Sequence, residues 1–388
     1  MAMNTVLITI FALTVFLVSY SYFIYPVILW IIASITQFRP NSGEEKPGVS
    51  ILIPAFNEAK HVRRKLVNAL ALDYPKDKME VIVGSDGSND NTAAIVREYA
   101  ERGVRLLDFH ENRGKTAVQN DLVEAAKNGI LVFTDAASFM PKSSLRNLIS
   151  PFSDSRVGCV AGRMVFIDTD KNITTQSQGL YWHYEMILRK LESRIGCMIG
   201  VDGPLYALRR ENYVPLANNI ISDLITPLLV LKQGKKVILK ENAYVLEEPT
   251  EKSNQELKTR RRITLRGLVS LKAYPELLSF KKHPLLAFQL FSHKVLRWSV
   301  GPMVLLNIIS SLLLHEILFF KFMMLIYLIF FGLSVAGWYY EKTEYASRIL
   351  KFPYYFSLVN LAATLGIVDF VRGKQIISWK PSRMSKPK

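Results

Sequence analysis

One aspartate ends the apolar run "ILVFTDAAS", where Ile130 to Thr134 lead straight into Asp135 and the two residues beyond it are alanines. A carboxylate at the end of a buried strand costs several kcal/mol unless it is hydrogen-bonded or bound to a cation. Asp135 is therefore a candidate for holding a cation and whatever anion travels with it. Four further stretches carry groups suited to neighbouring tasks: "PAFNE" with Glu58, "SDGSNDNT" with Asp86, "NNIISDLITPL" with Asp223, and the basic "KTRRRITLR". Together they offer carboxylates for proton abstraction and arginines for an anionic leaving group. Each also reads more plainly by itself. "SDGSNDNT" is a turn followed by a helix N-cap, Glu58 opens the following helix, Asp223 caps another, and the arginines make a basic membrane-surface helix.

The elements that must position these groups repeat one design. "GVSILIPA", "MEVIVGSD", "VRLLDF" and "ILVFT" are apolar, β-branched runs bounded by turn residues, and the first three are followed by amphipathic segments such as "AKHVRRKLVNAL". Strands alternating with helices predict βαβ units and a parallel sheet. Ligands bind such sheets at the carboxyl ends of the strands, which is where Glu58, Asp86, the "NRGK" of residues 112 to 115 and Asp135 all fall. Neither GxxxxGK[ST] nor GxGxxG occurs, which excludes those phosphate-binding loops.

Apolar residues gather at both ends of the 388-residue chain. Residues 1 to 38 contain no charged side chain, and Val6 to Ile35 exceed the roughly 20 residues that span a bilayer, so a permanent anchor is expected, with Pro26 a site for a kink. Residues 40 to 47 form a polar linker. Three more apolar segments follow near 297 to 314, 317 to 340 and 353 to 371, the first two joined by His315 and Glu316. Asp369 and a tail with six basic and no acidic residues make the last a candidate for a re-entrant or interfacial segment, because a tail outside would oppose the positive-inside tendency. The net charge of +16 concentrates beside membrane segments, without a nucleic-acid motif, and points to anionic headgroups. Leucines interleaved with basic residues from Lys258 to Lys282 predict a helix lying at the headgroup boundary. Two cysteines are too few for a disulfide framework.

The order and spacing of "ILIPAFNE", "SDGSNDNT", "ENRGKTAVQN", "VFTDAAS", "GVDGPLYALRRENY", "ISDLITPL" and "TRRRI" resemble the membrane-anchored family-2 glycosyltransferases, which include cellulose-synthase-like and exopolysaccharide enzymes. The resemblance implies a GT-A fold, a mostly parallel Rossmann-like sheet inserted between transmembrane helices. It also implies a nucleotide-sugar donor, with UDP as the expected nucleotide, a divalent cation (Mg or Mn), and inversion at the anomeric carbon. Ala55, Glu58 and Asp86 match residues that cradle the nucleoside, with Lys115 beside it. Asp135 matches the first acid of the DxD motif, facing the diphosphate and its metal. Asp202 and Gly203 match the acceptor-side loop, Asp223 the general base, and Arg262 the arginine of QxxRW. Two departures stand out. Ala137 replaces the second DxD acid, which weakens metal binding, and Thr259 and Ile263 replace the Gln and Trp that in processive synthases hold the growing chain.

The expected layout is an anchor at 1–38, a catalytic domain at 48–250, basic amphipathic helices at 251–290, and membrane segments with a basic tail at 291–388. A membrane lipid or glycan is the expected acceptor. The expected location is the inner membrane, with the catalytic domain cytosolic. A processive exopolysaccharide synthase and a catalytically silent nucleotide-binding scaffold are the competing functions.

Overall fold

A computed structural model describes residues 2–167, 173–248, 253–341 and 348–376. Seven strands build the central sheet: β1 (Val49–Ala55), β2 (Met79–Asp86), β3 (Val104–Phe109), β4 (Ile130–Thr134), β5 (Val157–Phe166), β6 (Leu205–Arg209) and β7 (Lys236–Glu247). Their order is β3-β2-β1-β4-β6-β5-β7. The pairs β1–β2, β2–β3, β1–β4 and β5–β7 are parallel, while β6 runs antiparallel to both β4 and β5. The sheet is thus mostly parallel, as expected.

The helices are, in chain order, α1 (Ala2–Ser19), α2 (Tyr25–Thr36), α3 (Ala59–Leu70), α4 (Thr92–Arg97), α5 (Lys115–Ala125), α6 (Ser144–Ile149), α7 (Ile173–Ile195), α8 (Ser222–Lys232), α9 (Ser253–Ala273), α10 (Pro284–Leu290), α11 (Leu296–Trp298), α12 (Val300–Leu313), α13 (Leu318–Tyr339) and α14 (Arg348–Val371). Side chains of a strand alternate between faces, and here both faces are covered. Ile51, Ile53, Val81 and Val83 pack with Val62 and Leu66 of α3 on one side. Leu52, Ile82, Leu131 and Phe133 pack with Val118 and Leu122 of α5 on the other. This doubly buried sheet is why its strands read as continuous apolar runs. It also leaves the strand ends as the places where polar groups meet solvent.

Among the described residues, three helical stretches are long and apolar enough to cross a membrane: Ala2–Thr36, Leu318–Tyr339 and Ile349–Val371. The stretch Pro284–Trp298 followed by Val300–Leu313 would make a fourth, bent by 54°. Around Pro26 the first stretch does not break but widens into a π-turn over Tyr20–Ile24. Proline has no N–H to give the carbonyl four residues back, and the Tyr184 hydroxyl donates to that Tyr22 oxygen at 2.9 Å.

The leucine face of α9 differs from expectation. Leu265, Leu271 and Leu277 are buried, and the last two pack against Leu224 and Leu228 of α8 and Leu286 and Leu290 of α10. Protein takes the place of headgroups because α8 and α10 offer a complementary apolar surface. Phe280, Lys281 and Lys282 in the turn beyond α9 remain exposed. Asp369, unusual in an apolar segment, receives Arg261 of α9 at 2.8 Å, so α14 is docked on α9 by an ion pair. Of the basic tail, residues 377–388 lie outside the described residues.

Candidate active site

One end of the site is assembled from loops at the strand termini. Asn57 turns the chain out of β1 with φ +54°, and its Oδ1 accepts the Asn89 N–H at 2.8 Å, tying the first loop to the second. Glu58 opens α3 and bonds His61 Nδ1 at 2.8 Å. Asp86, fully buried at the end of β2, accepts the backbone N–H groups of Arg113 and Gly114 at 2.8 and 2.9 Å. Its carboxylate thereby fixes the loop that starts α5. Gly87 must be glycine: its φ is +67°, and a Cβ there would lie 2.6 Å from the Glu111 carbonyl carbon.

That loop delivers Lys115, whose Nζ donates to Asp135 Oδ1 at 2.6 Å. A lysine at the first turn of a helix opposes the helix dipole, and Asp135 offsets it. Burial works against the ammonium, but Asp135 and Asp223 more than compensate and hold Lys115 above its usual range. Beneath this pair lies Lys65, fully buried, donating to Thr134 Oγ1 at 2.7 Å and to the Ser138 carbonyl at 2.6 Å. Burial pushes its ammonium down to about 7, against the pull of Asp135 and Glu247. Ser138 passes the connection on, donating to Glu247 at the end of β7 at 2.5 Å.

The opposite end comes from other elements. Asp223 sits in the first turn of α8, and the Asp202–Gly203 loop precedes β6. A Cβ on Gly203 would stand 2.8 Å from Asp223 Oδ2 and 3.0 Å from Lys115 Nζ, so the absence of a side chain there is what lets Asp223, the lysine and the loop converge. Arg262 and Arg266, one helical turn apart on α9, face the same space. Burial lowers both guanidinium pKa values, opposed by the charge of Asp223; arginine nonetheless stays charged. Arg266 also donates to the Ile220 carbonyl at 2.8 Å, bracing the approach to Asp223.

Behind this end a buried ion network joins the domain to the bent membrane segment. Glu185 of α7 accepts from His293 Nε2 at 3.0 Å, Arg297 at 2.9 Å and Lys294 at 3.3 Å. His293 Nδ1 meets Glu192 at 2.6 Å, and Arg189 reaches from Glu185 to Asp202.

Of the residues singled out from sequence, Glu58, Lys115, Asp135, Asp202, Gly203, Asp223 and Arg262 line one cavity of 460 Å³. Ala55 and Asp86 are not among its lining residues: Ala55 is wholly buried at the end of β1, and Asp86 acts through the loop it holds. The cavity continues to Tyr22 on the first membrane stretch and Val359 and Ala363 on α14. Sequence reasoning passed over Arg266, Lys65 and Glu185. Arg266 was signalled by lying four residues after Arg262, and Lys65 by lying three after Val62, on the apolar face of α3. Glu185 has Arg189 four residues on, but His293, Lys294 and Arg297, which make it a junction, lie more than a hundred residues away.

Among the described residues no three His, Cys, Asp or Glu side chains gather as a complete metal site. Asp135 supplies one carboxylate and Ala137 none. Magnesium commonly takes one or two carboxylates and completes its shell with substrate phosphates and water, so the residues fit a cation that arrives with a diphosphate.

A mostly parallel, doubly covered sheet with carboxylates, a lysine and arginines converging at its carboxyl edge defines a GT-A-like fold. Residues 50–211 match the family model Glycosyl transferase family 2. It is 31% identical over 153 residues to the probable glycosyltransferase YdaM of Bacillus subtilis, covering 37% of this chain and 35% of that protein. It is 30% identical over 155 residues to poly-beta-1,6-N-acetyl-D-glucosamine synthase of Staphylococcus aureus, covering 36% of this chain and 37% of that one. The alignments thus span little more than a third of these curated relatives. In structure it resembles the mannosyltransferase PcManGT of Pyrobaculum calidifontis, solved in complex with GDP-Man and Mn2+, with a TM-score of 0.73 and 20% identity over 94% of this chain and 99% of that one. At that identity the likeness is one of fold.

Proposed function

We propose that this chain is a membrane-anchored inverting glycosyltransferase that moves a sugar from a nucleoside diphosphate, with UDP the first candidate, to a membrane-associated acceptor. The observation that carries the reading is a single cavity holding both the Lys115–Asp135 pair and Asp223, and running on to the membrane helices. The donor diphosphate lies against Asp135, Lys115 and Arg262, with the nucleoside toward Glu58 and the strand ends that Ala55 and Asp86 close. A divalent cation shared between Asp135 and the diphosphate would neutralise charge on the leaving group. Arg262 supplies positive charge to the same oxygens. Asp223 accepts the proton of the attacking group, a role worth on the order of 10²- to 10⁴-fold. Attack on the face opposite the diphosphate inverts the anomeric carbon.

The extension of the cavity to Tyr22 and α14 supports an acceptor in or at the bilayer, with anionic headgroups meeting Lys281 and Lys282. The catalytic domain then faces the cytosol, where nucleotide sugars are made. The altered "TRRRI" counts against a processive synthase, and the convergence of so many charged groups on one cavity counts against a silent scaffold.

The test is to titrate detergent-purified protein with UDP- and GDP-sugars, with Mn²⁺ and with chelator, and to measure nucleoside diphosphate release. One nucleotide class should bind more tightly with the metal and be turned over. Failure of every nucleotide sugar to bind overturns the reading.

A further inference from the structure

The segment that carries Asp135 is stapled to the core by one helix. Asn68 of α3 donates its Nδ2 to the Met140 carbonyl at 2.7 Å and accepts the Met140 N–H at 2.9 Å, and Arg64 lies over the Phe139 ring at 4.0 Å. Just before these contacts, the Ser138 N–H donates to the Asp135 carbonyl at 3.2 Å and closes a tight turn. Lys65, on the same helix, reaches both feet of that turn, donating to Thr134 Oγ1 at 2.7 Å and to the Ser138 carbonyl at 2.6 Å. Ala136 and Ala137, at its crown, have no side chain that could tie it.

A lysine is a costly staple. Lys65 is fully buried, its two acceptors are a neutral hydroxyl and a neutral carbonyl, and no carboxylate is among its hydrogen-bond partners. Lysine is almost never fully buried without a paired charge, because the ammonium leaves its hydration behind. Methionine, of similar volume, would fill the same place on the apolar face of α3 without that penalty. What the lysine adds is a link between two walls of the cavity. Glu58 opens α3 seven residues earlier, two helical turns back on the same face, and Asp135 stands on the turn that Lys65 holds.

In the family-2 pattern a second acid occupies position 137 and shares the grip on cation and diphosphate. Here Asp135 works alone. Its Oδ1 takes Lys115, a contact that loosens once a diphosphate competes for the lysine, and from then on the backbone beneath Asp135 must keep it aimed. We propose that Lys65 is a positioning residue of the donor site, holding the turn under Asp135 so that one carboxylate can serve the diphosphate and its cation without a partner at position 137. This rests on the transferase reading above and adds to it a residue that lies behind the donor rather than against it.

Detergent-purified full-length protein and its Lys65→Met variant are titrated with UDP and with GDP, in Mn²⁺ and in chelator, and the unfolding temperature of each is recorded. With Mn²⁺, Lys65→Met should weaken the nucleotide that binds by about tenfold or more, the range for losing hydrogen bonds from a charged group. In chelator, where no cation draws on Asp135, its affinity should match wild type. Thr134→Val removes one foot of the staple and leaves the lysine; it should show a smaller loss, again confined to Mn²⁺, and carries the test by itself if Lys65→Met does not fold. Metal-enhanced affinity retained in the variants overturns the proposal. An equal loss in Mn²⁺ and in chelator makes Lys65 a structural residue and overturns it as well. Wild-type binding indifferent to Mn²⁺ removes the role of Asp135 on which Lys65 acts, with nucleotide use intact. Binding of neither nucleotide to wild type overturns the transferase reading and this proposal with it.

Discussion

The two ends of the cavity are held by different forces. At the donor end, side chains stand a few residues from the strand that presents them, and the loops are pinned by bonds to backbone N–H groups, as Asp86 does for Arg113 and Gly114. At the other end, Asp202, Asp223 and the arginines of α9 come from separate elements, and Asp202 is tied through Arg189 to Glu185, which pairs with Arg297 across 112 positions of sequence. Backbone-pinned loops keep their geometry when a ligand leaves. A network of charges has a position only while the membrane helices stay docked, so the acceptor end is where the bilayer can act on the chemistry.

The sharpest separation of the two ends is Asp223→Asn. It should reduce turnover by roughly 10²- to 10⁴-fold with nucleotide binding nearly unchanged, because the amide keeps its shape but cannot take the proton. Kinetics and nucleotide titration on one preparation check this, and near-normal turnover removes Asp223 as base. Next comes Glu185→Gln, which leaves Arg297, Lys294 and His293 without their shared carboxylate. Breaking a buried pair typically costs 3–5 kcal/mol, so the detergent-purified variant should unfold at a clearly lower temperature. Nucleotide affinity should hold below that temperature if the donor end is independent.

Asp135→Ala tests the opposite end. It should abolish the metal dependence of donor binding, whereas Ala137→Asp should lower the metal concentration giving half-maximal activity, read at saturating donor. Activity indifferent to chelator in the wild type and retained in Asp135→Ala would make this aspartate structural.

A separate effect, on pH dependence, concerns Lys65. Its folded pKa near 7 lies below the roughly 10.4 of an unfolded lysine, so between those values the unfolded chain binds more protons and stability rises with pH. Wild type should gain stability from pH 7 toward pH 10 relative to Lys65→Met, followed by denaturant unfolding. Parallel pH profiles would mean that Lys65 keeps its proton throughout.

The strands, their βα order and the strand-end positions of Glu58, Asp86 and Asp135 follow from short-range patterns: apolar runs of strand length, turn residues and helical spacing. The long apolar stretches likewise declared membrane-crossing length without reference to any partner. Local pattern misled at α9, where leucines that read as a membrane-facing stripe are covered by α8 and α10, because periodicity reports that a face is buried but not against what. Tertiary structure alone decided that Lys115 would meet Asp135, that Gly203 would let Asp223 approach both, and that Arg261 would neutralise Asp369. These depend on packing between elements far apart in the chain, where the free energy of a contact is set by geometry that no window of sequence contains.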